Sequence, residues 1–341
     1  MTESKEISSI AIIGAGIAGV SCALALGRAI PTVKIFEKSY AAGGRMRSRS
    51  REDLDFDCGA QYFTARTSVF RQQVTQWREQ WLAEEWRGWL VDLHNGEALS
   101  REDDVERFVG RPFMHSCVED MASLCEVSYR QSVARIERQG EGWRLFDEAG
   151  NALGDFDAVV MAIPAPQAVP LLQDIAPVLA AQAAGVDMTP CWAVMLAFGE
   201  SLQLGFDGAF LVTSKLSWAA RNSSKPERGA METWVLHGSP EWTEAHLDMD
   251  AFDVMEILLR DMEVACERKF PMPEYADAKL WRYALPVNAL GTELGGVNCL
   301  YDASLRIGAC GDWCCAPRIE GAYLSGMSMA AAVLQGNAGN D

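Results

Sequence analysis

Four apolar residues in succession, Ile10-Ala11-Ile12-Ile13, end at a glycine turn and predict a strand buried on both faces. Ile17-Ala18-Gly19-Val20-Ser21-Cys22-Ala23-Leu24-Ala25-Leu26 follows, a helix of small residues able to pack closely on a neighbour. Val33 to Phe36 is the next apolar strand, so the chain opens as strand, helix, parallel strand. Residues 38 to 61 break that rhythm, being rich in Gly and Arg with no helical period. A helix is expected from Val69 to Trp81, with Val69, Gln73, Trp77 and Trp81 recurring about once per turn.

Further on, alternation near 132–138 and 142–147 predicts two strands with contrasting faces. The apolar run Ala158-Val159-Val160-Met161-Ala162-Ile163 reads as a strand stopped by Pro164 and Pro166. An Ala- and Leu-rich helix is expected over 167–184, then strands at 192–198, 209–212 and 232–236. Residues 251–268 predict an amphipathic helix, 305–308 a late strand, and Gly321 to Leu334 the last helix.

A chain of 341 residues has room for two domains, and 49% hydrophobic content supplies their cores. The net charge of −17 argues against nucleic acid or an anionic membrane as partner. It leaves an anionic small substrate open, because a few cations can line one cleft. The polar start Met1-Thr2-Glu3-Ser4-Lys5-Glu6 runs straight into the first strand, and no apolar run nears ~20 residues. A cytoplasmic protein without a membrane anchor is expected. Of ten cysteines only Cys310, Cys314 and Cys315 cluster, without a Cys-x-x-Cys pair or a nearby His. They read as small buried hydrophobes, and no metal site is expected.

The sharpest local signal is Gly14-Ala15-Gly16-Ile17-Ala18-Gly19 between strand and helix. In a dinucleotide fold Gly14 makes the tight turn, Gly16 lets backbone approach a pyrophosphate, and Gly19 lets helix pack on strand. The N-terminus of the helix, at Ile17 and Ala18, then faces the phosphates. Glu37 closes the second strand, where a carboxylate can accept hydrogen bonds from ribose hydroxyls. Two features favour FAD over NAD. After Glu37 the chain offers the basic loop Gly43-Gly44-Arg45-Met46-Arg47 in place of another helix and strand. A second glycine-led helix, Gly321-Ala322-Tyr323, follows Cys310-Gly311-Asp312 at the far end, as if the chain returned to finish one extended site.

These segments resemble the flavin-containing amine oxidase superfamily, and within it the bacterial renalase-like proteins. The resemblance rests on Gly14 to Gly19, Gly43 to Met46, Asp57 to Thr64, Ala162 to Gln167, Ala220 to Pro226, Trp234 to His237, Trp281 to Ala284, and Cys310 to Gly326. It implies an α/β fold: a Rossmann-like FAD-binding domain of the glutathione-reductase/amine-oxidase type, with an inserted α+β substrate domain carrying a mixed sheet. The FAD domain is expected at 1–66, 115–166 and 296–341, the substrate domain at 67–114 and 167–295. The resemblance also implies non-covalent FAD, with Glu37 at the adenosine ribose, Arg45 at the pyrophosphate, and Lys38, Gly44 and Met46 among the cofactor-binding residues. Gly59, Ala60 and Gln61 would line the cofactor, the Val133 backbone would meet the adenine, and Asp312 the ribityl side. Ala322 and Tyr323 would place backbone N–H groups near the flavin C2 carbonyl, and Gly321 would also bind the cofactor.

The chemistry implied is oxidation of 2- and 6-dihydro isomers of NAD(P) by hydride transfer to flavin N5, with O₂ restoring the flavin and yielding H₂O₂. Flavin amine oxidation, an NAD(P)H-dependent flavin monooxygenase and a flavin-bound scaffold are the other readings. Hydride transfer needs no strong base, which suits a chain with four histidines and no evident nucleophile pair. His237 and Asn222 read either as pocket residues that orient a carboxamide or as structural ones. Gln61 and Tyr62 read as flavin lining or strand packing. Trp281 and Tyr283, two apart on one strand face, read as an aromatic clamp, a pocket wall or core residues. Arg221, Lys225 and Arg228 are a phosphate anchor or ordinary solvated charges. Trp77, Trp81, Trp86 and Trp89 read as core and domain-packing residues rather than cofactor contacts.

Overall fold

The computed structural model describes residues 6–51, 53–101, 103–212, 214–291 and 298–338. The polar leader at 1–5, the domain boundary at 296 and residues 339–341 lie outside the described residues.

The strand Ser9–Ile13 lies between Thr32–Glu37 and Ala158–Met161, parallel to both. Its burial on both faces follows from that position: Ile10 and Ile12 enter one core, Ala11 and Ile13 another. The six-stranded sheet runs Leu300–Asp302, Ile307–Ala309, Ala158–Met161, Ser9–Ile13, Thr32–Glu37, Glu126–Tyr129, with only the first strand antiparallel. On one face the helix Ile17–Leu26 crosses Ile319–Ala338 so closely that a Cβ at Gly326 would lie 2.1 Å from the Ala18 carbonyl oxygen. The small residues of the first helix permit that approach. An antiparallel meander, Arg135–Gln139, Gly142–Phe146 and Ala152–Phe156, covers the other face with Ile136, Trp143, Leu145 and Phe156.

A second sheet has seven strands in the order Tyr275–Pro286, Met188–Phe198, Glu232–Gly238, Leu216–Arg221, Gly208–Leu211, Leu90–His94, Glu97–Ser100. Gly208–Leu211 pairs parallel with Leu90–His94 and the other pairs are antiparallel, so the sheet is mixed. The amphipathic helix Ala251–Ala265 packs Val254, Leu258 and Met262 on one face. The opposite face receives the hairpin Arg49–Arg51/Leu54–Phe56, with Phe56 and Cys58 against Ala193, Met195, Ala197 and Val235. The fold is thus a Rossmann-like region with an α+β insertion.

Several elements differ from the sequence reading. The helix expected at 69–81 spans Ser68–Glu79, capped by Thr67, and buries Phe70, Val74 and Trp77. Val69 is exposed, and Trp81 lies beyond the helix end at φ +62°. A spacing of four drifts about 40° per step around a helix, so the expected stripe left the buried face. Of the tryptophans expected inside, Trp77 and Trp86 are buried, whereas Trp81 and Trp89 face solvent. The helix at 167–184 is two, Ala165–Leu172 and Pro177–Ala184, because Pro177 holds Ala176 out of helical geometry. The last strand starts at Ile307, since Arg306 turns at φ +55°, and the last helix starts at Ile319.

The helix Ser68–Glu79 shares a core with Tyr323, and the helices at 165–184 share one with Val159, Met161 and Trp313. The first of these cores also holds Leu90, Trp218 and Ala220 of the second sheet, so Ser68–Glu79 borders both sheets, and the substrate domain at 67–114 and 167–295 stands as a proposal.

Candidate functional site

The glycine loop separates its three glycines by task. Gly14 sits at φ +106°, and a Cβ there would be 2.6 Å from the Ala162 carbonyl oxygen. A Cβ at Gly19 would be 2.0 Å from the Gly14 oxygen, so this glycine lets helix meet loop. At Gly16 a Cβ would meet nothing within 4 Å. Open space therefore lies above the loop, beside the N-terminus of a helix whose cap position offers no side-chain hydrogen bond. That is the cradle a pyrophosphate needs.

Glu37 is buried at the end of its strand, and each carboxylate oxygen accepts one backbone N–H, from Ala15 and from Ser39, both at 2.8 Å. Each oxygen keeps a second lone pair for a ribose hydroxyl. Lys38 beside it is exposed. Gln131 donates its N–H to the Glu37 carbonyl at 2.9 Å, drawing the segment up to Val133 alongside. Gly44, at φ +53°, would place a Cβ 3.3 Å from the Gly16 Cα, so the 43–46 turn lies against the glycine loop. Met46 is a core side chain with only its backbone at this turn.

Arg45 donates to both oxygens of Asp312, at 2.7 and 2.6 Å, and to the Ala284 carbonyl at 3.0 Å. The loop arginine and the late aspartate, read separately from sequence, are one ion pair. Gly59 passes the Arg45 carbonyl so tightly that a Cβ would be 2.0 Å from its oxygen, and Ala60 donates its N–H there at 3.0 Å. Ser325 accepts from the Gly311 N–H at 2.9 Å, and Trp313 donates to the Ile163 carbonyl at 3.0 Å.

The expected N–H contacts of Ala322 and Tyr323 are corrected by the helix start. Ala322 donates its N–H to the Arg318 carbonyl at 3.1 Å, so the groups preceding the first intrahelical bond belong to Ile319, Glu320 and Gly321. Tyr323 points into the core, 5.3 Å from Phe70 between ring centroids, with its hydroxyl on Gln73 at 3.2 Å. Glu320 escaped the sequence reading. Its buried carboxylate accepts from the Arg66 N–H and from the N–H and hydroxyl of Thr67, tying the 66–67 loop to the helix start.

On the second sheet's side the basic run at 221–228 divides. Arg221 pairs with Glu232 at 2.8 Å. Lys225 and Arg228 are fully buried on Asp57, at 3.1 and 2.9 Å. They are neither solvated charges nor an open phosphate anchor. Burial alone would raise the Asp57 carboxyl, but Arg228 and Lys225 hold it well below the usual carboxylate range. Burial lowers Lys225 to about 8 against the pull of Asp57. Asn222 is fully buried: its Oδ1 accepts from the Asp57 N–H at 3.2 Å and its Nδ2 donates to the Asp55 carbonyl at 2.8 Å. Its amide fastens the strand Leu54–Phe56 and the following Asp57, which leaves no surface for orienting a substrate.

Gln61 is buried, accepts from Lys225 at 3.1 Å, and donates to the Asp57 and Gly59 carbonyls. Its Nε2 lies 3.4 Å from His237 Nε2. Burial lowers His237 to about 4, with Lys225 adding to the effect and a Cys58 backbone contact opposing it. The ring is therefore neutral at pH 7 and half-buried at the end of its strand. Tyr62 packs between Trp86 and Trp218 at 6.1 and 5.8 Å, with Arg107 over its ring.

Trp281 and Tyr283 do share a strand, both half-buried. The Trp281 indole N–H donates to the Cys58 carbonyl at 2.7 Å, and the Lys279 ammonium stands 3.5 Å from its ring centroid. A cleft of about 240 Å³ lined by Trp89, Phe206, Asp207, Arg221, Glu232 and Trp234 shares no residue with the cradle. Its ions already pair with one another. All ten cysteines are free thiols, seven of them buried. Among the described residues no helix is long and apolar enough to cross a membrane.

Comparison with known proteins adds to this geometry. A family model described as an NAD(P)-binding Rossmann-like domain matches residues 12–76, and one described as flavin containing amine oxidoreductase matches residues 76–334. Renalase of Mus musculus is 23% identical over 310 residues, covering 85% of this chain and 88% of the mouse protein. Cyclohexylamine oxidase from Brevibacterium oxydans superposes with a TM-score of 0.73 at 13% identity, over 97% of this chain and 99% of that one. Putrescine oxidase bound to putrescine gives 0.70 at 13%, over 96% and 99%. At such identities the likeness to solved structures speaks for the fold.

Proposed function

The chain belongs to the flavin containing amine oxidoreductase family, and from that premise we propose that it oxidises dihydronicotinamide dinucleotides. Membership makes it an FAD-dependent oxidoreductase. The open cradle at Gly16, Glu37 with unused lone pairs, and the Arg45–Asp312 pair are the residues that would hold FAD, without a covalent bond. Bound there, FAD supplies a hydride acceptor at N5 and a route for two electrons to O₂, so that a dihydronicotinamide, O₂ and a proton become oxidised NAD(P) and H₂O₂.

The protein's share is to bind, orient and keep the donor dry. Neutral His237 offers a hydrogen bond without a charge, and Gln61 is locked beside it by Lys225. The observation that carries the reading is the Lys279 ammonium over Trp281. One face of the would-be clamp is covered by a cation, which repels a protonated amine and suits an anionic dinucleotide.

The second reading, flavin amine oxidation, has the more direct backing of the family model and the amine oxidase structures. Anaerobic mixing of the FAD-loaded protein with 2- or 6-dihydro NAD, ordinary NADH and primary amines separates the two by the rate of flavin bleaching. The dihydro isomers are expected to bleach it fastest; reduction by amines alone would establish the second reading. Acid precipitation should release intact FAD, and a chromophore retained on the protein would refute non-covalent binding.

A further inference from the structure

The strand Tyr275–Pro286 links the protein's exterior to the cofactor side. Toward its end the Ala284 carbonyl receives Arg45, and Trp281 reaches the Cys58 carbonyl and lies 3.3 Å from where a Cβ of Gly59 would be. Lys279 comes next on the same face, then Asp277, paired with Arg49 at 2.8 Å. Tyr275 donates its hydroxyl to Asp277 at 3.0 Å and stacks on Phe56 at 5.5 Å.

Lys279 stands out in this row. Among the described residues it has neither a carboxylate partner nor a hydrogen bond, although 47 acidic side chains outnumber 30 basic ones in the chain. Its ammonium is half-buried, with Arg49 and Arg47 near enough to act on it as like charges. Arg49 and Arg47 have carboxylates of their own, Asp277 and Glu119. Burial lowers Lys279 from its usual range, Cys58 opposes the shift, and these arginines add to it. An uncompensated, partly desolvated cation gains most from an incoming anion.

We propose that Lys279 anchors the diphosphate of the electron donor. The site rests on the dinucleotide reading and deepens it, by naming what holds the end of the donor remote from the reacting ring. Trp281 is the wall between anchor and cofactor side. Lys279 lies two residues from Trp281 on the same strand face, and its ammonium stands 3.5 Å from the indole ring, so a diphosphate held there lies against that wall. The three cations that sequence suggested for this task are committed elsewhere, to Asp57 and Glu232.

The test is a calorimetric titration of the FAD-loaded protein with oxidised NAD, nicotinamide riboside and inorganic pyrophosphate. Wild type should bind oxidised NAD about 10- to 100-fold more tightly than the riboside, the range of one charge-assisted contact. Lys279→Met should erase most of that gap and the pyrophosphate binding, leave riboside affinity in place, and be rescued by Lys279→Arg. An unchanged gap in Lys279→Met overturns the anchor, even where dihydronicotinamides still reduce the flavin. Should amines alone reduce the flavin, the dinucleotide reading falls. Pyrophosphate binding that Lys279→Met removes would then still establish an anion site, and its absence in wild type would overturn that as well.

Discussion

Arg45 and Asp312 lie 267 residues apart and meet in a two-pronged ion pair at 2.7 and 2.6 Å. One comes from the basic loop after the second strand, the other from the turn before the last helix. Their pairing joins residues from the two ends of the chain beside the proposed cofactor site. Asp312→Ala leaves a partly buried guanidinium without its carboxylate. A loss of about 1–3 kcal/mol is expected, short of the cost for a fully buried pair because Arg45 still touches solvent. Thermal melting of the FAD-free variant measures that loss, and FAD retention on dilution should fall with it. An Asp312→Ala protein with unchanged melting and FAD retention would show that the pair contributes nothing.

The glycine loop offers a sharper contrast. Gly16→Ala adds a Cβ into open space at a backbone angle of φ −76° that alanine accepts. The FAD-free fold should lose no more than about 1 kcal/mol, mainly from the poorer helix cap, while FAD affinity drops because the methyl fills the cradle. Gly19→Ala puts its Cβ 2.0 Å from the Gly14 oxygen and should destabilise the fold itself by about 1–3 kcal/mol or more. Denaturation with and without FAD tells them apart. Equal damage to the FAD-free fold in both variants would contradict the assignment of Gly16 to the ligand.

What sequence revealed of this site was set by distance along the chain. The glycine loop and Glu37 fall within one strand-helix-strand unit, and Ala15 meets Glu37 across 22 residues, so pattern and spacing alone bring them together. Lys225 and Arg228 looked like a local basic run because their partner, Asp57, lies 168 and 171 residues upstream. Asn222 was ambiguous for the same reason, since its amide is used by the strand Leu54–Phe56 and the following Asp57. Gly321 suggested a helix start. A Cβ there would strike the Ala316 carbonyl oxygen at 2.2 Å, so the glycine serves a tight turn and the helix begins two residues earlier. Lys279 drew no notice, because a missing counter-ion is a property of the folded neighbourhood.

His237 makes stability depend on pH in a definite direction. Burial first, and Lys225 second, hold its folded value near 4, against about 6.5 in the unfolded chain. Between those values the unfolded state binds the extra proton. The contribution, up to about 3 kcal/mol, is therefore complete above pH 6.5 and lost as pH falls toward 4. Asp57, held lower still, acts below that window. Urea midpoints at pH 7 and 4.5 should converge in His237→Gln relative to wild type; parallel shifts in the two proteins would remove His237 as the cause.

The same neutral ring bears on the proposed hydride transfer. A pocket that fixes the base aligns one ring carbon with the acceptor and misaligns another, and about 1 Å of displacement costs on the order of 100-fold in rate. His237 is the residue placed to do this, now that the Asn222 amide is fully committed within the strand contacts. His237→Ala should therefore slow saturated, anaerobic flavin reduction by 2- or 6-dihydro NAD more than reduction by ordinary NADH, narrowing the preference between isomers. FAD retention should hold, because no residue of the glycine loop contacts the ring through its described hydrogen bonds. An orienting imidazole that stays neutral adds no titration of its own, so the wild-type reduction rate should be flat from about pH 5.5 to 7, below the range in which Lys225 loses its proton. Stopped-flow absorbance under saturation reads both quantities. A rate that rises or falls through an inflection near 6.5 would mean that the ring exchanges a proton during turnover. The positioning role would then give way to general acid-base catalysis, which amine oxidation would use more readily than hydride loss from a dihydronicotinamide.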